Sequence, residues 1–303
     1  MKKMMTGFIA GALLAAGASA QTYTYYTGST ASAGLGNAEN WSDGLPTGAG
    51  VVGMITNNVS MPLGGTSFAG WTAVQTAGTI SRGGVITFDQ GVHWTLQGGT
   101  VTSGQHVAIG STTTAGTMVM NGGALVANTN FLVRSGSSFS QSGGTLTFAG
   151  AAEIGANGGG TANISGGTGS FGSISVTGGL IAFSGGSWTT TGNLHFGGST
   201  TGAGIRFDLG DGSLTVDTVS FNAGYIDFVT GSDGTLTVSS FTDASNFEAL
   251  WNTGRIRRDG ANTGTFADNF TVTGDTLSVI PEPAALTMFL VSGLALIVYR
   301  RMR

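Results

Sequence analysis

Residues 116–127, GTMVMNGGALVA, and 137–148, SSFSQSGGTLTF, carry the pattern on which the fold turns. In each, apolar and polar side chains alternate into a pair of glycines and alternate out again. That period-two rhythm describes two short strands joined by a tight turn. Residues 160–171, GTANISGGTGSF, and 182–190, AFSGGSWTT, repeat it. The twin glycines beginning at Gly98, Gly122, Gly143, Gly166 and Gly185 lie 24, 21, 23 and 19 residues apart. A unit of that length accommodates three short strands and three turns, one coil of a β-solenoid. Coils stack ~4.8 Å apart, so a position that needs positive φ needs it again in the next coil, and glycine recurs.

Working outward, the alternating apolar residues should point inward and stack in columns. The core candidates are Val107, Ile109, Met118, Met120, Leu146, Phe148, Ile205, Phe207, Leu209, Tyr225, Ile226 and Phe228. Two other β-folds compete. The Leu-x-x-Leu-x-Leu spacing of a leucine-rich repeat is missing, whereas a β-sandwich also recurs every 8 to 12 residues. Recurrence of the same Gly-Gly turn on a long period favours an all-β, parallel β-helix-like solenoid over residues 74–240. An N-terminal cap region is expected at 21–73 and a C-terminal cap at 241–279. Trp41 could cover the open end of the stack, which repeat proteins must close, or serve as a sugar platform. In the C-terminal cap, Ser245 and Glu248 have capping-box spacing, and Phe247, Leu250 and Trp251 share a helical face. A short helix is expected over 246–251, ending before Gly254. Strands are expected over 255–258, 265–272 and 276–280.

Composition agrees with repetitive β-structure. The chain has 303 residues, of which 55 are glycine and 9% are charged, against ~25% charged in ordinary domains. Thr, Val, Ile and Phe recur throughout, unlike in disordered chains. Five of the eleven basic residues lie at the two ends, so residues 21–280 hold six basic against fourteen acidic side chains. That balance excludes a nucleic-acid surface, which needs clustered positive charge. There is no cysteine, which excludes disulfides and thiolate metal sites.

The two ends read as targeting segments. Lys2 and Lys3, an apolar run over 4–17 and Ala18-Ser19-Ala20 make a signal peptide over 1–20, with the mature chain starting at Gln21. At the other end, Pro281-Glu282-Pro283 can continue neither strand nor helix. Residues 284–299 are uncharged and largely apolar, and Arg300, Arg301 and Arg303 close the chain. Sixteen helical residues span roughly 24 Å at ~1.5 Å each, enough for a membrane helix with snorkelling arginines or local thinning. The arginines should stay cytoplasmic as a basic stop.

The C-terminal stretch 280–303 resembles the PEP-CTERM sorting signal of Gram-negative bacteria: a Pro-Glu-Pro motif, a hydrophobic helix, then arginines. The resemblance implies handover to an exosortase, a membrane-embedded cysteine protease, and a link to exopolysaccharide export and surface display. By it Pro281, Glu282 and Pro283 are a recognition element. An ordinary tail anchor is the other reading, and such anchors normally lack a signal peptide. The ending LSVIPEP is similar to that of other PEP-CTERM proteins. Asn40-Trp41-Ser42 before a Pro-containing turn, and GTLTF (144–148) and GTLTV (234–238), resemble autotransporter-type β-repeats. The C-terminal portion nevertheless lacks the series of amphipathic membrane strands that an autotransporter would carry.

Chemistry is sparse. His93, His106 and His195 have no metal-ligand spacing and read as strand-face residues. Asp208, Asp211 and Asp217 form the closest acidic group and could serve calcium or glycosidic chemistry, although Asp211-Gly212 is itself a turn signal. Alternation puts Arg255 and Arg257 on one side of a strand with Arg258 beside them, suited to an acidic glycan or to a solvated edge. No Ser-His-Asp grouping or phosphate loop has its required context. The expectation is an exported, non-enzymatic surface or matrix protein without cofactor or metal. It would meet the Sec machinery and an exosortase, pass through the inner membrane, and associate with exopolysaccharide or the envelope. A polysaccharide lyase or glycosidase using the Asp208 region is the alternative.

Overall fold

The computed structural model describes residues 21–28, 34–47, 50–61, 70–156, 158–197, 206–229, 231 and 233–280. Over these the chain is all-β and winds into a parallel β-solenoid of about seven turns. Three stacks of strands form its sides. Sheet 1 runs from Thr22–Tyr25 to Ile256–Arg258. Sheet 2 runs in parallel from Val59–Met61 to Thr235–Val238, and sheet 3 from Ile86–Phe88 to Thr218–Phe221. One coil reads Ser138–Gln141 on sheet 1, Thr145–Phe148 on sheet 2 and Ala151–Ala156 on sheet 3, with a corner after each. Sheet 1 already begins at Thr22 and is entered again at Val51–Ile55, so coil strands reach into the expected cap region.

The alternation that gave the strands also fills the interior. Of the core candidates Val107, Ile109, Met118, Met120, Leu146, Phe148, Phe207, Leu209, Ile226 and Phe228 are buried. Tyr225 is instead half-buried, because it points outward on sheet 1 where Arg257 covers its ring at 3.9 Å. Ile205 lies outside the described residues. Rings meet both along one sheet and across the interior, in part between positions that are not register partners. An aromatic string climbs the core through Phe131–Phe148 (5.1 Å), Phe148–Phe171 (5.8 Å) and Phe171–Trp188 (4.8 Å), then Phe183–Phe207 (5.5 Å). Such pairs contribute about 0.5–1.5 kcal/mol each beyond the area they bury. No coil could bury these rings alone, so stability resides between coils.

The Gly-Gly corner joins sheet 1 to sheet 2, and the two glycines are required for different reasons. Gly144 has φ +75°, and a Cβ on it would lie 2.5 Å from the Gly123 carbonyl oxygen of the coil below. Gly143 has an ordinary backbone, but its Cβ would lie 2.5 Å from the Asn121 carbonyl oxygen. The same pairing recurs in the neighbouring coils. Inside this corner sits a polar side chain that apolar patterning does not anticipate. Gln141, 1% exposed, donates from Nε2 to the Gly144 and Thr168 carbonyls and accepts the Trp188 indole N–H at 3.1 Å. Gln75 repeats the two donations, to Gly78 and Thr100. Buried amides persist where their hydrogen bonds are made.

Both ends of the described solenoid are closed. Trp41 lies over the N-terminal end, edge-on to Tyr26 (5.5 Å) and Trp71 (5.7 Å), with its indole N–H on the Leu35 carbonyl at 2.9 Å. At 4% exposure it is a lid, and the sugar-platform alternative falls because its ring face is covered. At the other end sheet 2 stops growing in parallel: Thr276–Val279 pairs antiparallel with Thr235–Val238, and Phe270–Thr273 pairs antiparallel with Thr276–Val279. Helix α1 (Ala244–Asn252) buries Phe247 and Trp251. It starts two residues earlier than the spacing predicts, with Asp243 and Asn246 forming the capping box in place of Ser245 and Glu248. The aspartate carboxylate accepts from both the N–H and the hydroxyl of Ser245, which draws that serine into the first turn. The strand expected over 265–272 is a helical turn, α2 (Phe266–Asn269), followed by the strand Phe270–Thr273. Thr265 and Asp268 cap α2 reciprocally, a local bond that outcompetes the β-propensity around it.

Candidate functional site

The targeting residues named above, Ala18 and Ala20, Pro281, Glu282 and Pro283, and Arg300, Arg301 and Arg303, lie outside the described residues, as do the signal peptide and the 284–299 helix. Gln21 is described and exposed, its Oε1 accepting the Tyr23 hydroxyl at 3.0 Å. Among the described residues no helix is long and apolar enough to cross a membrane.

The candidates for chemistry divide. Asp208 and Asp211 share a cleft of about 330 Å³ on the corner of sheets 1 and 2, lined also by Ala182, Phe183, Ser184, Gly210, Val229 and Gly231. In this coil Gly210-Asp211-Gly212 stands where the preceding coils have an x-Gly-Gly corner. Asp211 also has a structural tie: its Oδ1 accepts the Asp233 backbone N–H at 3.0 Å and so helps to hold the next corner in place. Asp217 is removed from both, sitting at the corner between sheets 2 and 3. In its place the fold brings up Asp227, the register partner of Asp208 on the next strand of sheet 1. Its Oδ1 accepts the Gly260 N–H at 2.8 Å, again a backbone tie. Sequence separation hid this neighbour, since 19 residues become one coil step only once the register is known.

The arginines also serve the backbone and aromatic faces. Arg257 Nε donates to the Gly254 carbonyl at 3.1 Å while its guanidinium covers the Tyr225 ring. Arg255 precedes the strand Ile256–Arg258, donates to the Gly224 carbonyl at 3.0 Å and stands 5.8 Å from the Phe221 ring. The expected pair on one strand side is thus split between two rings, a cation–π arrangement that anchors each side chain. The strand that carries Arg257 and Arg258 pairs only with Tyr225–Phe228 among the described strands, so these residues occupy the end of sheet 1.

The histidines stay apart. His93 is exposed on sheet 1, and His195 lies on sheet 3. His106 departs from the expected strand-face placement, occupying the corner just before Val107–Ile109, where its carbonyl accepts the Ser103 hydroxyl. Burial, and then the Arg134 charge, hold its imidazole below the ordinary histidine value. One pairing was not anticipated: His195 Nδ1 lies 2.8 Å from Ser220 Oγ, its register partner one coil on. Ser220 Oγ also accepts the Asn193 amide at 2.6 Å, and Asn193 accepts the Thr218 hydroxyl. A nucleophilic serine needs its base oriented by a third group and an oxyanion site. Here an amide network on an open strand face takes that place, which suits a structural ladder between coils. Among the described residues no group of three His, Asp or Glu converges as a metal site would require.

Comparison of the chain with protein-family models, with curated proteins and with solved structures returns no match.

Proposed function

We propose that this chain is exported cargo: a surface or matrix protein whose solenoid is a rigid spacer and whose C-terminal stretch is read by an exosortase. The observation that carries this reading is the three-part order of residues 281–303, Pro-Glu-Pro, apolar run and arginines, opposite a signal-peptide-like N-terminus. The charge-poor solenoid body is consistent with it, since stability that resides between coils needs neither disulfide nor cofactor. After entry through the Sec machinery the apolar segment would hold the chain in the inner membrane until sorting. The protein would then associate with the envelope or exopolysaccharide.

Deleting 281–303 should release the protein from the cell surface, and mass spectrometry should find the mature C-terminus near Pro281. Unchanged surface retention of the deletion, or an intact Arg303 on displayed protein, would overturn the sorting reading. The cleft at Asp208 and Asp211 favours one competitor, a polysaccharide lyase or glycosidase. Turnover of a polysaccharide that disappears in the Asp208→Ala, Asp211→Ala double variant would establish it.

A further inference from the structure

The outward face of sheet 2 differs in kind from the other two. Its eight strands from Thr79–Arg82 to Thr235–Val238 stay in register with no bulge inside the face. Their outward side chains therefore form two straight columns. Of the sixteen positions in these columns fourteen are Ser or Thr, and the other two, Ala124 and Val126, share one strand. Three strands carry threonine in both columns: Thr100 and Thr102, Thr145 and Thr147, Thr235 and Thr237. None of the sixteen is charged or aromatic. The grid repeats every ~4.8 Å along a column and, at two residue rises, ~6.6 Å between columns. Sheet 1 shows instead a mixture that includes His93, Val119 and Asp208, and sheet 3 one that includes Leu132, Glu153 and His195.

The hydroxyls of this grid are also unspent. On the other faces outward polar groups bond one another across coils, as Ser138 does with Thr117 at 3.3 Å on sheet 1 and His195 with Ser220 at 2.8 Å on sheet 3. Among the described residues of the sheet 2 grid only Thr237 has a side-chain partner, Thr276, where the C-terminal hairpin crosses the edge. The rest present hydroxyls and methyls outward from a backbone fixed by two neighbouring strands. A preorganised array loses little entropy on binding.

A ligand for such a grid must itself repeat in two dimensions at these spacings, be uncharged, and hydrogen-bond through oxygen. The face has no guanidinium or carboxylate for an ionic polymer. It has no ring on which a sugar could stack. Water held between the columns satisfies all three conditions, because the oxygen layers of hexagonal ice repeat at comparable distances in two directions. We propose that the outer face of sheet 2 is an ice-binding surface, with ordered water in the trough between its hydroxyl columns as the bridging layer. This assignment is independent of how the C-terminal stretch is processed.

The test uses the full chain in mild detergent, with detergent alone as blank, and measures its partition into slowly grown ice and the inhibition of ice recrystallisation. The expected result is enrichment in the ice, lost in Thr147→Tyr, which raises a ring from the centre of the grid, and kept in Ser140→Tyr, on sheet 1 of the same coil. Circular dichroism establishes that each variant is folded; should Thr147→Tyr fail to fold, Thr215→Tyr asks the same question elsewhere on the grid. Exclusion of the folded chain from ice would overturn the proposal. So would enrichment that survives the grid variants. Retention on crystalline neutral polysaccharide, lost in the grid variant, with exclusion from ice, would overturn it in favour of a glycan surface.

Discussion

The corner between sheets 1 and 2 and the corner between sheets 3 and 1 obey opposite rules. The first keeps three residues in six successive coils, from 76–78 to 184–186, and its last residue is always glycine with φ between 71° and 82°. The second has four residues at 89–92, seven at 110–116 and three at 135–137. The cause is crowding. In the first corner each coil lies against the carbonyls of the coil below, so any change in one layer is felt by the next. In the second, Gly91 also has positive φ (+80°), yet nothing lies within 4 Å of where its Cβ would be. Left-handed backbone alone therefore does not enforce repetition, and neither does an isolated clash: Gly110 (φ +79°) in the second corner meets the Ser137 side chain, whereas in the first corner every positive-φ glycine is pressed against the backbone of the coil below.

Alanine at Gly144 should break this comparison open most visibly. It combines the left-handed penalty of about 1–2 kcal/mol with overpacking of about 1–3, for a loss of about 2–5 kcal/mol. Gly143→Ala isolates the crowding, since its backbone is ordinary, and should cost about 2 kcal/mol. Both are read from the denaturation midpoint of the folded chain. Equal midpoints for Gly144→Ala and wild type would show that the coils yield at this corner.

The crowded corner is also the part of the fold most legible in the sequence, because its constraint falls on residue type. Twin glycines, alternating strands and inward columns could all be read from single letters. The interior amide could not. Gln141 looks like a polar, outward residue, and only the turn carbonyls and the Trp188 indole around it explain its burial. Gln141→Leu should cost about 1–2 kcal/mol, chiefly by stranding the indole N–H. Made in a Trp188→Phe background, the same Gln141→Leu change should cost less, because no indole N–H is left to strand. The caps were misjudged by small shifts, since Asp243 and Asp268 each offered a local bond that spacing rules scored no better than their neighbours. At the candidate site, Asp208 and Asp211 were legible as close in sequence. Asp227 and the His195–Ser220 pair were not, because coil register and corner length decide them together.

Gly91→Ala is the complementary test at the open corner. Backbone strain of about 1–2 kcal/mol is offset by the reduced freedom of the unfolded chain, leaving about 1 kcal/mol. A loss as large as that of Gly144→Ala would show that the open corner is constrained after all, and crowding would no longer separate the two.

The third corner, between sheets 2 and 3, adds the smallest effect and a different readout. His106 sits there with its imidazole held below the ordinary value of 6.5 by burial and by Arg134. A histidine whose folded value is depressed takes up its proton first in the unfolded chain, so stability should fall as pH drops below about 6.5 and level off beneath the folded value. Asp243 and Asp268 are held below 3.8 by the hydroxyls of Ser245 and Thr265, so their contribution is lost only at more acid pH. Denaturation midpoints measured between pH 7.5 and pH 5 should therefore decline in the wild type and flatten in His106→Gln, whereas His93→Gln, altered on an exposed strand face, should keep the decline. A slope that survives removal of His106 would show that another group produces the decline and that burial of this ring in the third corner does not set it.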